Sequence, residues 1–276
     1  MFSESQVNPL SWHMLMLPHV SQIVGLLLVL FVALWFVHLG VGNASLADVG
    51  FCVGFGLVVA ICGIEGEGSL WRRVLVVGMG SAYACRLGWH LWNNRIWGRS
   101  EDPRYKILRA LLGKWESVGI FGYFMLQVPA CLFFGFLLCW IMGHSESAVS
   151  GWDLLGLGIF LLAFFGEALA DIQLERFRSD PTNQGKVLQT GLWRFSRHPN
   201  YFFEILQWSA YIPLAVGLPC AWMAMAWPLL MMASLLWVTG VPLAETQALN
   251  SRGEAYRLYQ RTTNKLFPWL PRRNSS

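Results

Sequence analysis

The sequence predicts an all-α membrane protein of about seven transmembrane helices, with its N-terminus outside and its C-terminus inside. Three observations carry that reading. Hydrophobic residues make up 55% of the chain and charged residues only 13%. Apolar runs of about 20 residues recur, the length that crosses a bilayer core. The basic residues are also segregated. Of 20 in all, six lie between Arg95 and Lys114, five between Arg176 and Arg197, and six between Arg252 and Arg273. Seven helices put those three segments on one side, opposite the N-terminus, and the positive-inside rule makes that side cytoplasmic. The setting is a multi-pass membrane protein, of a bacterial inner membrane or, in a eukaryote, of the endoplasmic reticulum. The net charge of +4 then reflects topology and anionic headgroups, and no nucleic-acid partner is expected.

The expected spans are 19–39, 46–64, 73–94, 118–142, 152–173, 200–217 and 220–240. The first 19 residues carry no lysine or arginine, so they read as a weakly amphipathic lead-in and no secretory leader is expected. Span one is apolar throughout and ends at Gly40-Val41-Gly42-Asn43, where Asn43 or Ser45 can cap the next helix. Asp48 falls in the first turns of span two, where the helix dipole favours a carboxylate. In span three, Tyr83, Arg86, His90 and Asn94 recur every three or four residues and share one face. An arginine inside an apolar span costs about 2.5–3.5 kcal/mol on insertion scales, so Arg86 requires a partner, a cavity or an anion.

Glu101-Asp102-Pro103 marks a helix start inside the basic connection, and Gln127 and Pro129 mark a kink in span four. Span five carries Glu167 and Asp171 one turn apart, as a general acid/base pair or as acceptors for sugar hydroxyls or arginines. Asp180 to Gly185 is a loop by its turn residues, flanked by Arg178 and Lys186. His198-Pro199 breaks the chain and opens span six, because proline excludes the α region before it and suits a first helical turn. Asn200 and Glu204 then share a face. Gly217-Leu218-Pro219 is the turn into span seven. Helix resumes after Gly240 with Glu245, followed by Tyr256, Tyr259 and Arg261 in an amphipathic tail. The six cysteines lie in or beside apolar spans with no CxxC, so they read as reduced packing residues with no disulfide framework and no metal site. No dinucleotide-binding glycine turn, P-loop, HExxH or nucleophile elbow is present, so a nucleotide must be held by helix ends and basic loops.

Arg197-His198-Pro199-Asn200-Tyr201 followed by Glu204 resembles the signature of the steroid 5α-reductase-like membrane reductases. Asp171-x6-Arg178, Asp180-Pro181-x-Asn183-x-Gly185-Lys186, and Tyr83-x-x-Arg86 with Asn94-Arg95 are similar to the same family, in its uncharacterised bacterial branch. The likeness runs from about Ser45 to Pro268. It implies seven membrane helices and reduction of a conjugated carbon–carbon double bond with NADPH, on a lipid-soluble small molecule. It implies that Tyr83 contacts the substrate carbonyl, with Asp48 as the acidic residue that assists it. It further implies cofactor contacts at Arg86, Asn94, Arg95, Asp171, Arg178, Arg197, His198, Asn200, Tyr201, Glu204, Glu245 and Tyr259. On this reading residues 1–276 are one membrane domain, with cytoplasmic cofactor-side segments at 174–204 and 241–270.

The His-Pro-Asn-Tyr core and the Glu245 region also resemble the isoprenylcysteine carboxyl methyltransferases, which use S-adenosylmethionine. The Tyr83/Arg86 face, Asp171, Asn200 and Glu204 fit the reductase pattern better. A non-enzymatic lipid-binding protein is the third reading; no inverted repeat supports a transporter.

Overall fold

The computed structural model describes residues 9–144 and 148–272, with side chains from residue 20 onward. The lead-in before residue 9 and Arg273 lie outside the described residues. The described chain is helical and holds no strand. It divides into two compact units, Met1–Ser145 and Glu146–Ser276.

The first unit contains α1 (Pro9–Val41), α2 (Leu46–Glu65), α3 (Leu70–Leu91), α4 (Pro103–Leu112) and α5 (Glu116–Met142). Its centre is α2, which packs against α1, α3 and α5. Small residues permit the close approach: a Cβ on Gly135 of α5 would come within 2.4 Å of Val58. Phe31, Phe55, Phe124 and Leu138 are fully enclosed there. Ser45 precedes α2 without a side-chain capping bond. Its hydroxyl instead accepts from the Asp102 amide at 3.3 Å, while Asn43 Oδ1 accepts from the Ser45 amide at 3.0 Å. Asp102 does cap α4, accepting from the Arg104 amide at 2.9 Å ahead of Pro103.

The second unit contains α6 (Gly151–Ser179), α7 (Pro199–Ser209), the single turn α8 (Tyr211–Leu214), α9 (Ala226–Ala233), α10 (Val241–Arg252) and α11 (Glu254–Thr262). A full capping box starts α6: Ser150 and Asp153 exchange side-chain and backbone bonds. α7 runs antiparallel along α6. Gly156 meets the α7–α8 junction, where a Cβ would lie 2.8 Å from the Ala210 carbonyl, and Asn200 reaches Asp171 near the other end of α6.

Among the described residues, five helical stretches are long and apolar enough to cross a membrane: Val20–Val41, Leu46–Glu65, Pro103–Met142, Gly151–Ser179 and Ala221–Arg252. The third and sixth expected spans are helical but fall short of that measure. α3 has 22 residues but carries Arg72, Arg73, Arg86 and His90. It passes at Trp92 into a π-helical turn, Trp92–Ile96, which shifts Asn94 and Arg95 off the regular 3.6-residue register. α7 stops at Ser209, because Pro213 has no N–H for the Ser209 carbonyl and its ring crowds that group. The expected reduced state of the cysteines is also corrected. Cys62 and Cys139 form a disulfide across 77 residues, while Cys52, Cys85, Cys131 and Cys220 take part in no disulfide. No local spacing announces that pair, since it arises only when α2 and α5 pack together.

Candidate functional site

In the first unit the chemistry gathers at the N-terminal end of α2. The Asp48 carboxylate accepts from Arg95 Nη1 at 2.6 Å, Arg104 Nη2 at 2.8 Å, Tyr105 OH at 2.7 Å and Tyr123 OH at 3.3 Å. Arg95 also meets Asp102 at 3.1 Å. Burial opposes ionisation of Asp102, but Arg95 and Arg104 outweigh it and hold its carboxyl below the ordinary aspartate range. Asp48 and Arg95, read from sequence as a catalytic assistant and a cofactor ligand, thus tie the basic connection to α2. Tyr83 is 4% exposed on α3, its ring edge-on to Phe55 at 5.8 Å. Arg86 lies half-buried one turn further along the same helix. Asn94, inside the π-helical turn, donates to the His90 carbonyl at 2.9 Å.

In the second unit the segment 193–201 forms one wall of a cavity of about 120 Å³. The local sequence dictates its shape. Gly191 adopts φ +59, and a Cβ there would strike the Gln173 amide at 2.6 Å, so only glycine serves. The Gln173 amide oxygen accepts from the Leu192 amide at 3.0 Å, and Trp193 Nε1 donates to the Ala170 carbonyl at 3.0 Å. Ser196 then accepts from the His198 amide at 3.1 Å and donates to the Leu266 carbonyl at 2.7 Å. Pro199 starts α7 with His198 in a non-helical conformation before it, and the His198 ring stacks parallel to Tyr201 at 5.2 Å.

Arg197 is 7% exposed and serves as a strap. Its guanidinium donates to Glu245 at 2.8 Å, to the Gln260 carbonyl at 3.0 Å and to the Thr263 carbonyl at 2.7 Å. Glu245 also receives Gln260 Nε2 at 2.8 Å and faces His198 Nε2 at 3.2 Å. Burial lowers the His198 pKa; Glu245 opposes this without overcoming it, so the ring is held neutral near pH 7. Tyr259 donates to the carbonyls of Trp193 and Ser196. Burial raises the Tyr256 hydroxyl to about 12, so it stays protonated.

The cavity is lined by Arg178, Arg197, His198, Asn200, Tyr201 and Tyr259 from the sequence-derived set. Asp171 stands beside it, accepting from Asn200 Nδ2 at 3.2 Å. Glu204 lies one turn further into α7, 8% exposed, accepting from Trp208 Nε1 at 3.2 Å. The lining also includes Arg252, Trp193, Leu188 and Tyr256. Arg252 was not singled out from sequence. Its signal was the helix-ending Gly253 after it, since a terminal arginine can turn back onto a neighbouring loop. Here Arg252 Nε holds the Lys186 carbonyl at 2.8 Å. Arg178 and Arg252 suit phosphate oxygens, the Tyr and Trp faces suit a planar ring, and the Asp171–Asn200 pair suits sugar hydroxyls.

The fold is that of an all-helical, multi-pass integral membrane protein with a polar site at helix ends. The chain belongs to the family described as a protein family of unknown function, DUF1295, whose model matches residues 34–263. That family is associated with steroid 5α-reductase-like proteins. The chain is also similar to the uncharacterised protein C594.04c of Schizosaccharomyces pombe, 26% identical over 283 residues, covering 90% of this chain and 80% of that protein.

Proposed function

We propose that this protein is a membrane-embedded NADPH-dependent reductase of the conjugated carbon–carbon double bond of a lipid enone. The observation that carries the reading is the cavity at the head of α7, where three arginines, three tyrosines and the Asp171–Asn200 pair surround a space fit for part of a nucleotide. NADPH, when bound, supplies a hydride to the β-carbon of the enone. Arg178 and Arg252 would hold its phosphates, and Asn200 with Asp171 a ribose. The Tyr83 hydroxyl donates to the substrate carbonyl, where negative charge develops as the β-carbon accepts electrons, and a proton then completes the α-carbon. The buried setting of Tyr83 keeps water from competing for that hydrogen bond.

The topology we propose is seven crossings, N-terminus out and C-terminus in, with α3 and the α7–α8 stretch as the two less apolar spans. The segregated basic residues support it. So does the disulfide: Cys62 and Cys139 each stand three residues from the C-terminal ends of α2 and α5, whereas Asp48 and the arginines of the 95–109 connection gather at their N-terminal ends. Disulfides persist in oxidising compartments, so the two features point to opposite faces of the membrane. With a protease site inserted between Gly98 and Arg99, the cut fragments should stay joined on a non-reducing gel and separate with reductant. Fragments that separate without reductant would remove this support.

The reading itself is tested on purified protein in detergent. NADP(H) should co-purify and be identified by mass spectrometry, and Arg178→Ala should weaken NADPH binding about 10–150-fold by calorimetry, the range of one lost charge-assisted contact. An S-adenosylmethionine product in its place, with no NADPH binding, would overturn it.

A further inference from the structure

A second cleft, of about 220 Å³, lies in the first unit between the last turns of α1 and the α4–α5 junction. Its wall includes Trp35, His38, Arg109, Glu116 and Ser117. None of these residues enters the reductase reading. We propose that this cleft binds the headgroup of a membrane phospholipid that carries a primary ammonium beside its phosphate diester.

The charges come first. Arg109 is bidentate on Glu101, at 3.0 Å and 2.9 Å, and its remaining terminal nitrogen meets Glu116. One guanidinium therefore faces two carboxylates, and the group is one negative charge in excess. Glu101 is nearly enclosed, with its side chain 10% exposed, whereas that of Glu116 is 43% exposed and available to a cation entering from outside.

The hydrogen-bond donors come next. His38 is 4% exposed, wedged against Phe124, with Nε2 3.5 Å from Arg109 Nη2. A guanidinium only donates, so Nε2 is the acceptor and the ring carries its proton on Nδ1. The Asn43 backbone holds the ring from that side. Trp35 Nε1–H, one turn earlier on α1, is buried without a partner. Buried donors are normally satisfied, and an orphan donor beside the cleft points to an acceptor that belongs there.

An occupant must accept from the Trp35 N–H and also present a cation to Glu116. Inorganic phosphate meets the first demand and is repelled by the excess carboxylate. A quaternary ammonium cannot donate to Glu116, and an anionic glycerol headgroup has no cation at all. A primary-ammonium phosphodiester meets both demands. Its acyl chains would run along the outer face of α1, where Phe36, Val37, Leu39 and Val41 are all more than half exposed. On the proposed topology Trp35 falls near the cytoplasmic end of the first span, where such rings collect.

The test is native mass spectrometry of the detergent-purified chain with phosphatidylethanolamine, phosphatidylcholine, phosphatidylglycerol or inorganic phosphate. Phosphatidylethanolamine should be retained at least about 10-fold better than the other lipids, as expected of one charge-assisted contact. Glu116→Gln should abolish that preference, and Trp35→Phe, which keeps the ring and removes the N–H, should weaken retention of phosphatidylethanolamine. Melting temperatures taken alongside identify any variant that fails to fold, and Trp35→Phe carries the test if Glu116→Gln does. Equal retention of all three lipids by the parent, or displacement of lipid by inorganic phosphate, would overturn the proposal. Because the assay needs no turnover, its failure leaves the reductase reading where it stands, and failure of that reading does not touch the cleft.

Discussion

Tyr83→Phe is expected to lower hydride transfer to an enone about 10²–10⁴-fold, with NADPH affinity unchanged. The substitution removes one hydroxyl and keeps the ring that packs edge-on against Phe55. Tyr83 is enclosed, and the phenyl ring fills the same space. Along α3 it stands three residues from Arg86, about 4–5 Å by the helical rise, so one contact can be lost without the other. The assay is NADPH oxidation against a panel of lipid enones in detergent, with cofactor binding measured on the same samples. Full activity in Tyr83→Phe would remove this tyrosine from the mechanism. Loss of NADPH binding would instead show that the substitution acts through folding.

Arg197→Ala should act on folding before it acts on the cofactor. The guanidinium is almost fully buried and joins Glu245 to two backbone carbonyls of the α11 region. Removing it leaves Glu245 charged, buried in part and short of its main partner, a loss of about 3–5 kcal/mol for a broken buried pair. A lower melting temperature and faster proteolysis after α10 are the expected results. Arg197→Lys should recover part of the loss, since an ammonium keeps the charge but not the fork of donors. A variant that melts like the parent and binds NADPH weakly would make Arg197 a phosphate ligand instead.

Much of the helix plan was legible because its signals are local. Asp102-Pro103 and His198-Pro199 start helices by rules that involve neighbouring residues only, and both helices begin there. What escaped depends on distant partners or on small departures from a regular helix. Span six was read as one apolar run, yet one proline divides it after Ser209. The face shared by Tyr83, Arg86, His90 and Asn94 assumed a constant 3.6-residue period, and the π-helical turn at Trp92 ends that assumption. The same distinction applies to the site. The cluster around His198 was visible as a motif, and most of it lines one cavity. The separate tasks of its members were not visible. Nothing within a few residues of Arg197 indicates that Glu245 would claim it, nor does anything beside Asp48 foretell Arg104, Tyr105 and Tyr123.

The Arg197 strap also sets an order of events during synthesis. Its partners Glu245, Gln260 and Thr263 follow it by 48, 63 and 66 residues. At about 5–20 residues per second, the ribosome delivers them roughly 2–13 s after Arg197 itself. α7 is completed within that interval, while the arginine at its head still lacks the three groups its guanidinium later bonds. The nascent chain therefore passes through a stage in which a charged, incomplete surface waits at the membrane for the segment that seals it. A ribosome stalled before residue 245 would hold the protein in that open stage, where a protease or an insertion factor could distinguish it from the finished molecule.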